Sequence, residues 1–184
     1  MKASVRTAAC IALIAFGSDI ARADDQQVRG ADQAVGLFMQ SCVQFAGKVQ
    51  EMRTWLNQQA IPRLNPQLTA IFLHSRPGIG YDASNKEAGR LALTSEDNGV
   101  CTAYAERSDN AELIRFLETT LRIANIVPKL LGEHDDARAA SLHHRNYVLT
   151  IDGQLYTMVV STDSVENKVQ AFVTLARHNP NDPL

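Results

Sequence analysis

YVLTIDGQLYTMVVS, residues 147–161, is the stretch that decides the fold. Apolar residues recur on both sides of Asp152-Gly153, a pair that a tight type I′ hairpin favours because both central residues take positive φ. Tyr147 to Ile151 and Leu155 to Ser161 are therefore predicted strands. A second hairpin reads upstream, where Arg90 to Thr94 and Val100 to Ala105 are joined by Ser95-Glu96-Asp97-Asn98-Gly99. Each hairpin is followed by an acid with Glu three residues on, Asp109 with Glu112 and Asp163 with Glu166, the pattern of a helix N-terminus. Core-facing stripes follow: Leu113, Phe116, Leu117, Leu121 and Ala124, then Val165, Val169, Phe172, Val173 and Ala176. The expected fold is α+β: two ββα units forming an antiparallel sheet with helices on one face. Ancient duplication and convergence on common turn and cap chemistry both account for the repetition.

Upstream of the first hairpin the period changes to that of a helix. Val35, Phe38, Met39, Cys42, Phe45 and Val49 recur at three- and four-residue steps, and Met52, Trp55 and Leu56 continue the stripe. Gly47 is a potential break, so Asp32 to Ala60 forms one helix or a helix pair. Pro62 and Pro66 end it. A short apolar run follows from Leu68 to Leu73. Arg76-Pro77-Gly78-Ile79-Gly80 then reads as a turn that uses glycine at positive φ. Between the two halves, Pro128 to Arg145 reads as a charged, histidine-rich loop or a short helix over Asp136 to Leu142.

The N-terminus carries an address. Lys2 and Arg6 precede the apolar run Ala8 to Phe16, which is too brief to span a bilayer, and Ala21-Arg22-Ala23 has the form of a cleavage site. Residues 1–23 are read as a bacterial secretory signal peptide and the mature protein as periplasmic. Residues 24–31 are read as a disordered N-terminus, 32–178 as a single α+β domain, and 179–184 as a disordered tail.

Cleavage after Ala23 leaves 161 of the 184 residues, enough for one domain with a sizeable core. At 45% hydrophobic and 21% charged the composition is that of an ordinary globule. The mature chain would keep 15 basic and 19 acidic residues, a balance that gives no electrostatic reason to expect nucleic acid or anionic lipid as a partner. No later run is apolar enough for stable membrane insertion once the signal is gone. Cys10 leaves with the signal, so Cys42 and Cys101 remain. In an oxidising compartment they most simply form one disulfide, the alternative being two separate buried thiols.

Chemistry-bearing patterns are sparse. Glu133-His134-Asp135-Asp136 and His143-His144 contain ligand types suited to a divalent ion or to acid–base work. Their spacing matches no ligand pattern, and adjacent histidines point to different sides of a strand or helix. The cluster His134, Asp136, His143 and His144 is accordingly held only as a candidate beside the reading of a solvated acidic loop. No G-x-S-x-G, S-x-x-K or H-E-x-x-H motif is present, and the two distant cysteines are not a redox C-x-x-C pair. The Gly78-x-Gly80 turn lacks the context of a phosphate loop. No catalytic, cofactor-binding or metal residue is assigned. Trp55 reads as core. Tyr81, Tyr147 and Tyr156 are weighed as a recognition surface against core packing, and Asn85, Lys86, Glu87, Asp97 and Asn98 as exposed loop residues.

The order Phe72-Leu73, Pro77-Gly78-Ile79-Gly80-Tyr81, Gly89-Arg90-Leu91 and Asn98-Gly99-Val100-Cys101 resembles a group of small exported proteobacterial proteins of unknown function. These carry a helix cysteine, a Phe-Leu…Pro-Gly segment with an aromatic soon after, and a hairpin cysteine two residues past an Asp-Gly or Asn-Gly glycine. The resemblance covers roughly Phe38 to Phe116, and places those roles on Cys42, Phe72, Leu73, Pro77, Gly78, Tyr81, Gly99 and Cys101. The chain departs from the group's lipoproteins in having no lipobox. The resemblance implies paired cysteines and a periplasmic location and supplies no catalytic residues. The function expected is a non-enzymatic binding or interaction domain, of inhibitor or immunity type in one version, whose partner is another periplasmic protein or a small ligand. An envelope-acting enzyme and a subunit of an envelope assembly are the alternatives.

Overall fold

A computed structural model describes residues 18–165 and 169–179. The described residues begin with helix α1 (Ser18–Phe38), continue through a π-helical turn (Met39–Val43) and break at Gly47 before α2 (Val49–Gln58) and α3 (Pro66–Phe72). Strands β1 (Gly78–Asp82), β2 (Leu91–Glu96) and β3 (Cys101–Ala105) form a first meander. Helix α4 (Asn110–Ile123) then carries the chain across to the far edge of the sheet. From there β4 (Lys129–Asp136), β5 (Ala139–Ile151), β6 (Gln154–Asp163) and β7 (Ala171–Arg177) return, and β7 pairs with β3. The result is one antiparallel seven-stranded sheet in the order β1-β2-β3-β7-β6-β5-β4.

The α+β class and the disulfide hold. Both expected hairpins form, and the turn between β5 and β6 has positive φ at Asp152 and Gly153. Asp109 caps α4 by accepting a hydrogen bond from the Glu112 N–H at 2.9 Å. The second ββα unit does not form. Residues 171–177, expected as a helix, are strand β7, with Ala171, Val173 and Leu175 buried and the residues between them half-buried. The stripe fits both periods, and the tertiary structure selects the strand, because β7 supplies the ladder partner that β3 and β6 would otherwise lack. Asp163 forms only a local turn, accepting from the Val165 N–H at 2.9 Å. Glu166 lies outside the described residues.

Three other expectations need correction. The segment 128–145 is the β4–β5 hairpin rather than a loop or short helix. Gly78 and Gly80 lie in β1 without positive φ, which falls instead on His74 and Ser75. What Gly78 needs is space, since an added Cβ would sit 2.5 Å from the Ser95 carbonyl oxygen. Residues 24–31, expected to be disordered, belong to α1, with Gly30 and Ala31 buried against the rest of the domain. The expected cleavage point after Ala23 thus falls within α1. Residues 1–17 of the expected signal peptide and 180–184 of the expected tail lie outside the described residues. No helix among the described residues is long and apolar enough to cross a membrane.

Alternation divides the sheet into an inner and an outer face. The inner face carries Tyr81, Leu93, Cys101, Ala103, Val173, Leu175, Met158, Val160, Tyr147 and Leu149, all buried. Phe38, Leu56, Leu113, Leu117 and Leu121 of α1, α2 and α4 complete that core. The Cys42–Cys101 disulfide, with Cα atoms 5.5 Å apart, joins the π-helical turn to β3 across this layer. Met52 of α2 packs its sulfur 3.7 Å from Cys101 Sγ. Tyr81, Tyr147 and Tyr156 are core residues and not a recognition surface. Helices cover both faces, because α3 lies alone on the outer one, where Leu64 and Thr69 pack over Gly80.

Candidate functional site

Register connects one residue from every strand into a single row across the outer face: Asp82, Ala92, Tyr104, Phe172, Ser161, His144 and His134. Both places on this face with chemical potential lie along that row. The histidine end holds part of the cluster expected from the sequence, and the Asp82 end holds a cleft.

At the histidine end, β4 and β5 split the cluster between the two faces. His134 and His144 stand opposite one another on the outer face with ring centroids 5.2 Å apart. His144 Nδ1 lies 2.7 Å from Ser161 Oγ and its Nε2 lies 3.5 Å from Asp136. Asp136 closes the hairpin turn by accepting from the N–H groups of Arg138 (2.7 Å) and Ala139 (3.0 Å). The Arg138 N–H first, and then the His144 ring and the Ala139 N–H, hold the Asp136 carboxyl below its ordinary value.

His143 faces the other way. Its Nδ1 lies 2.9 Å from Asp135 and its Nε2 3.2 Å from Glu133, and Glu133 also pairs with Arg145 at 3.2 Å. The bond to Asp135, followed by that to Glu133, raises the His143 pKa above the ordinary 6.5. His134, Asp136 and His144 are thus brought together while His143 is not. Among the described residues no group of three or more His, Cys, Asp or Glu side chains is arranged to hold a metal ion.

Ser161, His144 and Asp136 are in the order that an activated serine requires: hydroxyl, imidazole and orienting carboxylate. Ser161, however, is completely buried. Access, rather than order, is what the arrangement lacks, and in this conformation the hydroxyl serves to satisfy the imidazole. Sequence reasoning missed the serine because it lies 17 residues from His144 and is brought opposite it only by the β5–β6 register.

At the other end of the row lies a cleft of about 280 Å³ between α3 and the outer face of β1–β3. Ala92 and Tyr104 form its floor, Leu64, Leu68 and Phe72 its roof, and Asp82, Ser84, Arg90 and Glu106 part of its rim. Helix α3 starts well, because Asn65 caps it by accepting from the Leu68 N–H at 2.8 Å and Pro66 occupies the first turn. Yet none of its seven residues is buried, and Leu68 and Ile71 are 41% and 66% exposed. The helix is held at its C-terminal end, where the Phe72 and Tyr104 rings are 4.7 Å apart and the Tyr104 hydroxyl donates to the Phe72 carbonyl oxygen at 3.2 Å. Burial pushes the Tyr104 pKa up, so this phenol stays protonated and able to donate. Phe172 extends the aromatic floor, its ring 5.7 Å from that of Tyr104.

Among the described residues the charges around the cleft do not cancel. Glu96 is buried and is matched by Arg76 at 2.9 Å. Glu106 and Arg90 pair at 3.6 Å, with Arg90 80% exposed. Asp82 accepts from the Ser84 N–H at 3.0 Å and has no cationic partner among the described residues. Several of these residues lie in segments the sequence offered, Phe72 in the run Leu68 to Leu73 and Arg90, Ala92 and Tyr104 on the first hairpin, but nothing local joins that run to the hairpin's outer face. Compared with protein-family models, with curated proteins and with solved structures, the chain matches none.

Proposed function

We propose that the protein is an exported, non-enzymatic binding domain whose recognition surface is the outer-face cleft beneath α3. The observation that carries this reading is a helix that buries none of its own residues and stands over a cavity with an aromatic floor. Apolar surface left uncovered around a concave, partly polar pocket is the ordinary form of a ligand or side-chain receptor. The disulfide suits an oxidising compartment, which agrees with the periplasmic address read from residues 1–23. The open edge of the sheet is a weaker candidate. Strand β4 has two register irregularities and a run of charged side chains, both of which oppose strand addition. The edge at β1 is partly covered, since Leu64 N–H donates to Gly80 O and Asp82 N–H to Pro62 O.

The test is capture from a periplasmic extract by the mature protein and by Ala92→Leu, which fills the cleft floor. A partner or ligand retained by the wild type and lost with Ala92→Leu supports the reading. Equal retention by both proteins places recognition elsewhere and removes the cleft from it.

A second reading, an envelope-acting hydrolase, is favoured by the Ser161–His144–Asp136 order. It requires movement that uncovers Ser161. Covalent labelling by a fluorophosphonate, abolished in Ser161→Ala, would support it, and an unlabelled protein would end it.

A further inference from the structure

We infer that the cleft under α3 takes a small amphiphile carrying an ammonium group, with its apolar part on Ala92, Phe72 and Tyr104 and its charge against Asp82. This inference rests on the reading of the cleft as a binding site and adds the chemistry of what enters it.

Three features converge on a cationic amphiphile. First, Asp82 is a carboxylate on the rim of an apolar cavity with no cationic partner among the described residues, whereas Glu96 and Glu106 are each matched by an arginine. A charge beside low-dielectric walls interacts more strongly than one in open water, so an unmatched carboxylate there favours a positive ligand group. Second, the Phe72 and Tyr104 rings, 4.7 Å apart, line the same cavity and offer an aromatic surface to the apolar part of the ligand. Third, Asp82, Ala92 and Tyr104 are consecutive in one register row. With neighbouring strands about 4.8 Å apart, that row separates the acid from the aromatic floor by about 10 Å along the cavity. A ligand with a short apolar chain or ring and one terminal charge spans that distance. The volume of about 280 Å³ limits it to a small molecule.

Among the described residues, an anionic amphiphile would meet an unmatched carboxylate, and the only arginine on the rim, Arg90, is already paired with Glu106. A purely polar cation would leave the Ala92, Phe72 and Tyr104 surface wet. The combination of apolar body and cationic head is the one that satisfies both parts of the cleft.

The experiment uses calorimetric titration of the mature protein with hexyltrimethylammonium, hexyl glucoside and hexyl sulfate, all as monomers in solution. The expected result is saturable one-site binding of the cation, with the neutral probe about tenfold weaker and the anion weaker still, because the charge meets Asp82. Asp82→Asn keeps the acceptor for the Ser84 N–H and should bring the cation and the neutral probe to about the same affinity. Ala92→Leu should abolish binding of all three. If the neutral probe binds the wild type as well as the cation does, or Asp82→Asn leaves the preference unchanged, the ammonium inference is overturned while the cleft remains a binding site. If no probe binds and Ala92→Leu also leaves capture from extract unaltered, the inference and the reading beneath it both fall.

Discussion

His143 and His144 are consecutive on β5 and have opposite electrostatic surroundings: His143 lies between two carboxylates on the inner side, and His144 is bonded to the Ser161 hydroxyl on the outer side. The period of two along a strand does this, and it removes any shared site for the pair. The consequence for His143 is measurable. Both of its contacts are satisfied together only by the imidazolium, which donates from each ring nitrogen. Its folded-state pKa therefore lies above the ordinary 6.5, and the protonated form strengthens the β4–β5 hairpin. That contribution is complete below pH 6.5 and is lost as pH rises through the folded-state value. Asp135 and Glu133 from β4 and Arg145 from β5 are the charged groups that face the ring, and Thr162 of β6 is its uncharged register neighbour. Titration followed by NMR should show His143 above 6.5, and Asp135→Asn should move it down. A His143 value unchanged in Asp135→Asn would sever the link.

Two glycines of α1 should respond to alanine with opposite signs. An added Cβ at Gly30 would overlap the Arg107 carbonyl oxygen, which is backbone and has little room to yield. At Gly36 it would meet nothing within 4 Å. Gly30→Ala is expected to destabilise by about 1–3 kcal/mol, the usual cost of overpacking, despite the gain in helix propensity. Gly36→Ala is expected to stabilise by about 0.5–1 kcal/mol. Urea denaturation of the two variants checks both signs.

The disulfide closes a separation of 59 residues. The chain-entropy account assigns such a loop about 4 kcal/mol of stabilisation through the unfolded state. Protein denatured without reductant should show no titratable thiol from Cys42 or Cys101. Replacing both cysteines by alanine should lower the urea midpoint substantially, and a midpoint that does not move would show that the helix–sheet contact is held by packing alone.

Arg53 fastens α2 to the end of β2. Its Nε donates to Ser95 Oγ at 3.0 Å, and one Nη donates to both the Ser95 carbonyl oxygen and the Asp97 carboxylate at 2.7 Å. The side chain is mostly buried, so truncation strands the Ser95 acceptors beneath α2. Arg53→Ala should cost about 1.5–3 kcal/mol, the range for charge-assisted hydrogen bonds. Asp97→Ala should cost less, because the carboxylate is exposed and solvent replaces its partner. Equal losses in the two variants would contradict this division.

Local chemistry made parts of the molecule legible in advance. Asp152-Gly153 and Asp109 act within a few residues of themselves, so the β5–β6 turn and the start of α4 could be read from the chain. The pairing of Cys42 with Cys101 followed from compartment and parity. Segment 171–177 could not be read in this way: its apolar residues suit either a helix or a strand, and ladder partners distant in sequence chose the strand. The histidine cluster was half legible, because alternation along a strand predicts that neighbours diverge but does not name Ser161 as the partner of His144. The segments that line the cleft were legible, but their assembly was not, because α3 meets the outer face of β1–β3 only through tertiary contact.

The amino-acid sequence by itself determined the α+β class, the two hairpins, the capped helix α4 and the cysteine pair, because each depends on short-range turn, cap or periodicity rules. Only the tertiary structure decided the seven-strand order, the strand identity of β7, the placing of α3 alone on the outer face and the row from Asp82 to His134. Those depend on register between segments far apart in the chain, and register is set by which faces and edges remain to be covered once the whole sheet has assembled.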